Sequence, residues 1–366
     1  MILQPGVGPI RSSHYLPADA ETIAWGIIPT ADSEPRLRVE SGATVTIDAV
    51  SHEGVLDDFG RDPVGWFGAH GVPKDEVLDD AIDIARNGVH PPGAGPHVIT
   101  GPIHVDTAEP GDVLIVDVLD VMPRVPYGVI SNRHGMGVLA DEHPRPAPDG
   151  SASTVSVFAR THGTGPADSE PAAREPGSGA IAYADGKWAR FPLAPFMGVM
   201  GVARAEGPVS STPPGDFGGN IDVKYLQTDA RLYLPVQIPG AGFYLGDPHF
   251  VQGNGEVCLT ALEGSLRGDV RLTVLKGAEA RAIGGLLASP LVETDEHWIP
   301  IGIDADLDQA LVNATRNAVR FLEERFGMEP YLAYAYLSAA ADFEISQAVN
   351  RVKGVHCKIR KRDFEA

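Results

Sequence analysis

At 366 residues the chain is long enough to bury a large core as one domain or as two closely packed ones, and its 43% hydrophobic and 21% charged content is that of a globular protein. A net charge of −20 repels phosphate backbones and anionic lipid, which excludes nucleic acid and membrane surfaces as partners. No stretch approaches the ~18 consecutive apolar residues of a membrane span, and the opening MILQPGVGPIRSS lacks a basic start followed by an apolar core, so the cytoplasm is the expected compartment.

The 42 glycines and 31 prolines favour turns and short strands. Residues 43 to 50, ATVTIDAV, alternate, with Val45, Ile47 and Ala49 on one face and Thr44, Thr46 and Asp48 on the other, which predicts a half-buried strand. Residues 74 to 86 place Val77, Leu78, Ala81, Ile82 and Ala85 on one face of a short amphipathic helix. GPIHV (101 to 105) and VLIVDVLDV (113 to 121) flank the turn Glu109-Pro110-Gly111-Asp112 and read as a hairpin or a sheet corner. From about 141 to 180 Pro, Gly, Ser and Ala dominate, predicting mobile surface loops around one strand, TVSVFA, and a possible subdivision of an otherwise single unit. A second loop, 206 to 219, leads into GGNID and is expected to border a site.

Strands RLYLPVQI, EVCLTALEG and DVRLTVLKG follow. Leu307, Ala310, Leu311, Ala314, Ala318, Phe321 and Leu322 then recur at helical spacing, with Gly327 suited to the helix end. Pro330 opens a further helical segment, YLAYAYLSAAADFEIS, before a last strand around GVHCKI. Many strands with a few late helices point to an α+β protein, mainly β, built of sandwich- or barrel-like sheets. Only Cys258 and Cys357 are present, so no disulfide framework or cysteine-rich zinc site exists, and both read as buried thiols.

Residues 218 to 263 set polar and charged side chains among glycines and apolar strands, a costly pattern if they are buried without partners or ligands. Asp247 and His249 are two apart, so in extended chain both point to one side about 7 Å apart, spacing suited to two ligands of one ion. Equally, Asp247-Pro248 can form a turn and His249 be an ordinary hydrogen-bonded residue. The Gly253-Asn254-Gly255 turn can return Gln252 and Glu256 to the same pocket, or be a polar hairpin tip.

GGNIDVKYL, LYLPV and GDPHFVQGNGEVCLTALE, in that order and spacing, resemble the acetamidase/formamidase family. HVITGPIHVDTAEPGDVLIVDVLDV and DFEISQAVNRVKGVHCKI extend the likeness over most of the chain from about residue 40 to 360. Pro248 within the Asp/His pair, Asn254 in place of a frequent Asp, and SHEG after the strand of Asp48 depart from the family pattern. The resemblance implies a mainly β fold with a β/β/α part, hydrolysis of a small linear amide to carboxylate and ammonia, and a divalent metal, zinc or calcium, of which zinc is the expectation here. A cyclic γ-lactam as substrate, or ligand binding without catalysis, are the competing functions, and a homo-oligomer, a dimer, is expected.

Chemistry applied to the matching positions makes Glu256 the general base, with Asp222 to receive the amide NH2 or take over as base. Asp247 and His249 are candidate metal ligands, completed by His97 and Asp48. Asn220 and Gln252 are candidate substrate-binding amides, although Asn220-Ile221-Asp222 can equally just hold the turn after Gly218-Gly219. Asp342, His52 and His356 read as packing partners. Cys258, expected inside a strand, is a poor nucleophile candidate.

Overall fold

The computed structural model describes residues 2–161, 177–283 and 289–364. Among them, one sheet of nine strands runs from His14–Leu16 through Ala43–Ala49, Leu266–Leu275, Val113–Pro123, Arg231–Pro235, Leu291–Glu293, His297–Asp304 and Lys353–Arg360 to Asp342–Gln347. A second sheet of eleven strands contains Phe196–Gly201, Phe243–Val251, Leu262–Glu263, Tyr127–Arg133 and Val98–Val105. Inward residues of both, such as Ile47, Leu114 and Leu232 from the first and Ile99, Val199 and Leu245 from the second, share one apolar core. The mainly β class read from the sequence is the class observed.

The segment from Gly101 to Val121 is a sheet corner rather than a hairpin, because Val98–Val105 and Val113–Pro123 belong to different sheets. Ala43–Ala49 is more than half buried: Thr46 and Asp48, placed by alternation on a solvent face, are covered too. Asp48 tolerates this because the Arg267 guanidinium bonds both its oxygens, at 2.6 and 2.9 Å, and the Tyr15 hydroxyl donates to it at 2.6 Å. The predicted helix over 74 to 86 divides into a single turn, Lys74–Glu76, and a helix, Asp79–Asn87.

Near the C-terminus, helix Leu307–Phe326 starts where the Asp306 side chain accepts from Gln309 N (2.9 Å) and ends at Gly327 in the left-handed region, φ 65°. It lies so close to strand His297–Asp304 that a methyl on Gly302 would collide with the Ala314 backbone. Helix Pro330–Ala340 opens on its proline, as expected. It stops short, however: DFEISQ is the strand Asp342–Gln347, not a helical continuation. The expected loop of 141 to 180 ends in the hairpin Ser178–Ala184 and Lys187–Pro192, and its stretch 162–176 lies outside the described residues. No helix among the described residues is long and apolar enough to cross a membrane.

Phe243–Val251 is the strand that organises the second sheet. Along one edge it pairs with Phe196–Gly201 at residues 244 to 246 and 248 to 249. Its other edge is shared, Val98–Val105 taking residues 243 to 246 and Leu262–Glu263 taking 249 and 251. The change of partner falls at Asp247-Pro248, where proline has no N–H to leave unpaired and Asp247 turns to φ 53°. The sheet therefore opens at this point, and the polar groups gather there.

Candidate active site

Ionisable side chains from both sheets converge at this opening. His52 and Glu53 follow the strand Ala43–Ala49 of the first sheet, and His97 stands immediately before Val98–Val105 of the second. Asp247 and His249 come from the central strand, Glu263 faces His249 across the sheet, and Asp222 and Glu256 arrive on turns after Gly218–Asn220 and Gly253. Three sets of donor atoms each lie within 4.8 Å of one another: His52, His97 and Asp247; Asp222, Asp247 and His249; His249, Glu256 and Glu263. All are buried.

Asp247 is the hub. Its Oδ2 is 3.0 Å from His249 Nε2 and 3.7 Å from His97 Nε2, while its Oδ1 is 3.4 Å from His52 Nδ1. Yet His249 Nε2, His52 Nδ1, Asp247 Oδ1, Asp222 Oδ1 and Glu263 Oε2 are buried without a partner in hydrogen-bond geometry. Buried nitrogens and oxygens left without hydrogen-bond partners are costly unless something else engages them, and these belong to residue types that can ligate a metal.

The surroundings hold these groups in place. His97 Nδ1 is tied to Ser211 Oγ (2.9 Å), which turns Nε2 toward Asp247. His52 Nε2 is 3.3 Å from Glu53, and Glu53 is in turn held by Arg133 (3.0 Å) and the Ser131 hydroxyl. Such carboxylate–imidazole pairs fix the tautomer and ring plane of a metal-ligating histidine. Asn350 donates to Asp222 Oδ2 at 2.6 Å. Asp222, Asp247 and Glu256 all sit at positive φ, 49°, 53° and 46°, a backbone cost of about 1–3 kcal/mol each that the surrounding structure must offset.

Electrostatics sorts the groups. Burial would lower His52, but its contacts with Asp247 and Glu53 push it up to about 10, and Glu263 and Asp247 likewise raise His249 against burial. Burial holds His97 down, to about 4. Asp247 is held well below the carboxylate range by His249 and His97 despite its burial. Glu256 and Asp222 go the other way, raised first by burial and then, for Glu256, by the neighbouring Asp222. The field that draws protons onto His52 and His249 would equally draw a divalent cation.

A cavity of about 200 Å³ opens over this cluster, lined by His52, His97, Asp247, Glu256 and Glu263 together with Asn220, Asn350 and Arg133. The loop 206 to 219 reaches it through Thr212, with Ser211 on His97. Of the residues singled out from sequence, Asp247, His249, His97, Asp222 and Glu256 are brought together. Asn220 lines the cavity while its NH2 donates to Thr212 O at 3.0 Å.

Two others are placed elsewhere. Asp48 is locked between Arg267 and Arg124 (3.4 Å), outside the three donor sets, so its carboxylate is engaged by guanidinium and it is no ligand of this cluster. Gln252 spends its NH2 on the carbonyls of Asp222 (3.1 Å) and Ser346 (3.0 Å), a structural tie rather than a face toward the cavity. His52 belongs to the site and not, as sequence suggested, to the packing; its signal was the adjacent Glu53. Glu263 and Asn350 were missed as well. Residues 257 to 259 form a turn and bend, with only Leu262–Glu263 extended, so the predicted strand is displaced and Cys258 stands on a turn, partly buried and with its thiol pushed up by burial.

The acetamidase/formamidase family model matches residues 64–210 and 202–358. The chain is 27% identical to a formamidase of Methylophilus methylotrophus, over 78% of each chain, and 28% identical to an acetamidase of Mycolicibacterium smegmatis, over 73% of this chain and 79% of that one. In structure it resembles an acetamidase of Bacillus halodurans, with 25% identity, a TM-score of 0.70, and coverage of 96% of this chain and 98% of that one. With matched segments spanning both sheets and all of the clustered residues except His52 and Glu53, this chain belongs to the acetamidase/formamidase family.

Proposed function

We propose that this chain hydrolyses small amides of the formamide and acetamide type at the His52/His97/Asp247/His249 cluster, with a divalent metal held there. The family and the curated relatives make it an amidohydrolase acting on C–N bonds other than peptide bonds. The observation that carries the site assignment is the convergence of three imidazoles on Asp247, with buried nitrogens and oxygens that lack hydrogen-bond partners, beneath a cavity lined by Glu256.

The donors fit zinc better than calcium, since calcium takes six to eight oxygens and imidazole is a borderline nitrogen ligand. His52, His97 and Asp247, whose donor atoms lie within 4.8 Å of one another, would hold the ion beside His249, whose Nε2 is 3.0 Å from Asp247 Oδ2, and Glu53, on the far nitrogen of His52, orients that imidazole. When bound, zinc supplies Lewis acidity toward a carbonyl oxygen and lowers the pKa of water.

The chain's own groups complete the reaction. Amide nitrogen leaves poorly unless protonated, and Glu256, which lines the cavity with its carboxyl raised by burial, would in its ionised form accept a proton from the attacking water and return it to nitrogen. Asp222, fixed by Asn350, adds its charge to the field at Glu256. Asn220 and Asn350 offer amide groups at the wall for orienting the substrate. The test is release of ammonia together with an equal amount of carboxylate from formamide or acetamide, and its loss in His97→Ala alongside loss of bound metal. Full turnover in that variant would remove the cluster from the mechanism.

A further inference from the structure

The cavity has a second character that the hydrolytic groups do not use. Leu56, Ala94, Pro96, Met136 and Leu259 line it along with the polar cluster, and they come from four separate stretches of chain. An apolar wall assembled from four segments is not the by-product of one strand's packing. Formamide has three non-hydrogen atoms and acetamide four, whereas one water needs only about 10–15 Å³ of such space. A cavity of about 200 Å³ therefore far exceeds what either amide fills.

The apolar wall also continues outward. Met136 is 40% exposed, and beyond it Val138, Leu139 and Val257 are each at least half exposed. They form one surface: Val138 N donates to Val257 O at 2.9 Å, and a methyl on Gly137 would touch the Cys258 carbonyl. Thus the turn that carries Glu256 on its buried side carries Val257 on its exposed side, next to the Met136 segment. The apolar lining at Leu259 and Met136 is thus neighboured in the chain by exposed Val257 and Val138 at the surface.

We infer that the preferred substrate is a primary amide whose acyl group is apolar and longer than the methyl of acetamide, seated against Leu56, Leu259 and Met136. This rests on the amidohydrolase reading above and deepens it. The acyl side is assigned because the leaving nitrogen must stay within reach of Glu256 to be protonated, which a bulky N-substituent would hinder. Burying each added methylene against this wall raises kcat/KM about fourfold, as hydrophobic transfer of one CH2 does.

The test is a series of straight-chain primary amides, formamide to hexanamide, with N-butylformamide alongside, read as kcat/KM from ammonia or amine release by the holoenzyme. The expected result is a rise from acetamide to pentanamide of roughly tens of fold. In Met136→Ser the ratio of kcat/KM for pentanamide to that for acetamide falls several-fold. A monotonic decline beyond acetamide overturns the inference while leaving the amidohydrolase reading intact. So does an unchanged ratio in Met136→Ser, or N-butylformamide outrunning pentanamide. Failure to hydrolyse any amide in the series would instead overturn the amidohydrolase reading itself.

Discussion

Gly198 gives the most exacting test of the cluster's geometry. It lies in the strand Phe196–Gly201 between Met197 and Val199, which pair with Pro248 and Gly246, and its carbonyl accepts from Asp222 N at 3.2 Å. A methyl group there would lie 2.5 Å from Asp222 Oδ1, 2.6 Å from His249 Cε1 and 2.7 Å from Asp247 Oδ2. Ordinary contact begins near 3.4 Å, so these three groups must each retreat by roughly 0.7–0.9 Å or the strand must shift. Gly198 is not at positive φ, so alanine meets no backbone penalty and the whole effect is steric. Overpacking of this kind costs about 1–3 kcal/mol, which a folded chain of this size survives, but a misplacement near 1 Å at reacting groups costs about 10²-fold in rate. Gly198→Ala should therefore melt only slightly below the parent while kcat/KM for ammonia release falls roughly a hundredfold and bound metal decreases. A variant with kcat/KM within about threefold of the parent and unchanged metal content would refute the assignment of this cluster as the reaction centre.

Other consequences are separable from that one. Glu256→Gln keeps size and most hydrogen bonding but removes proton transfer, so kcat should fall about 10²–10⁴-fold with metal retained and KM little changed; loss of metal would make Glu256 a ligand instead. Asp48→Asn should cost about 3–5 kcal/mol in denaturant unfolding, because it leaves the buried Arg267 without its carboxylate while Arg124 keeps Asp80, and the folded variant keeps its full metal content. Glu344 is held well below the carboxylate range first by His356, then by Tyr225 and Lys358. A depressed carboxyl stabilises above its unfolded pKa and loses that contribution as pH falls toward the folded value, so the stability gap between parent and Glu344→Gln should narrow on acidification below about pH 4.5. A gap that widens in acid would contradict that reading.

The residues closest in sequence were the most legible part of the site. Asp247, His249 and Glu256 announced themselves because polar side chains among glycines and apolar strand residues are expensive to bury without purpose. Alternation alone misjudged Asp48, since a strand in the middle of a sheet can be covered on both faces when arginines follow the carboxylate inside. His52 and Asn350 were hidden for a different reason: one is delivered by the first sheet and the other by the C-terminal hairpin, and only the closure of the two sheets brings them to Asp247 and Asp222. Helical periodicity located Leu307–Phe326 and its glycine cap, whereas the alanine-rich run after Pro330 gave no sign that pairing with Lys353–Arg360 converts DFEISQ into a strand. Pro248, a departure from the family pattern in sequence, acquires a physical reason in the fold, standing where the central strand changes partners.

The most direct test of the account is metal content and turnover measured on one preparation. Zinc is quantified by elemental analysis, ammonia release from a hydrolysed amide is followed, and both are repeated after chelation and after zinc is restored. Turnover should disappear with the metal and return with it, while the chelated protein remains folded by circular dichroism. Protein shown to be free of metal that releases ammonia at the full rate would contradict this and send the search to a mechanism carried by the side chains alone.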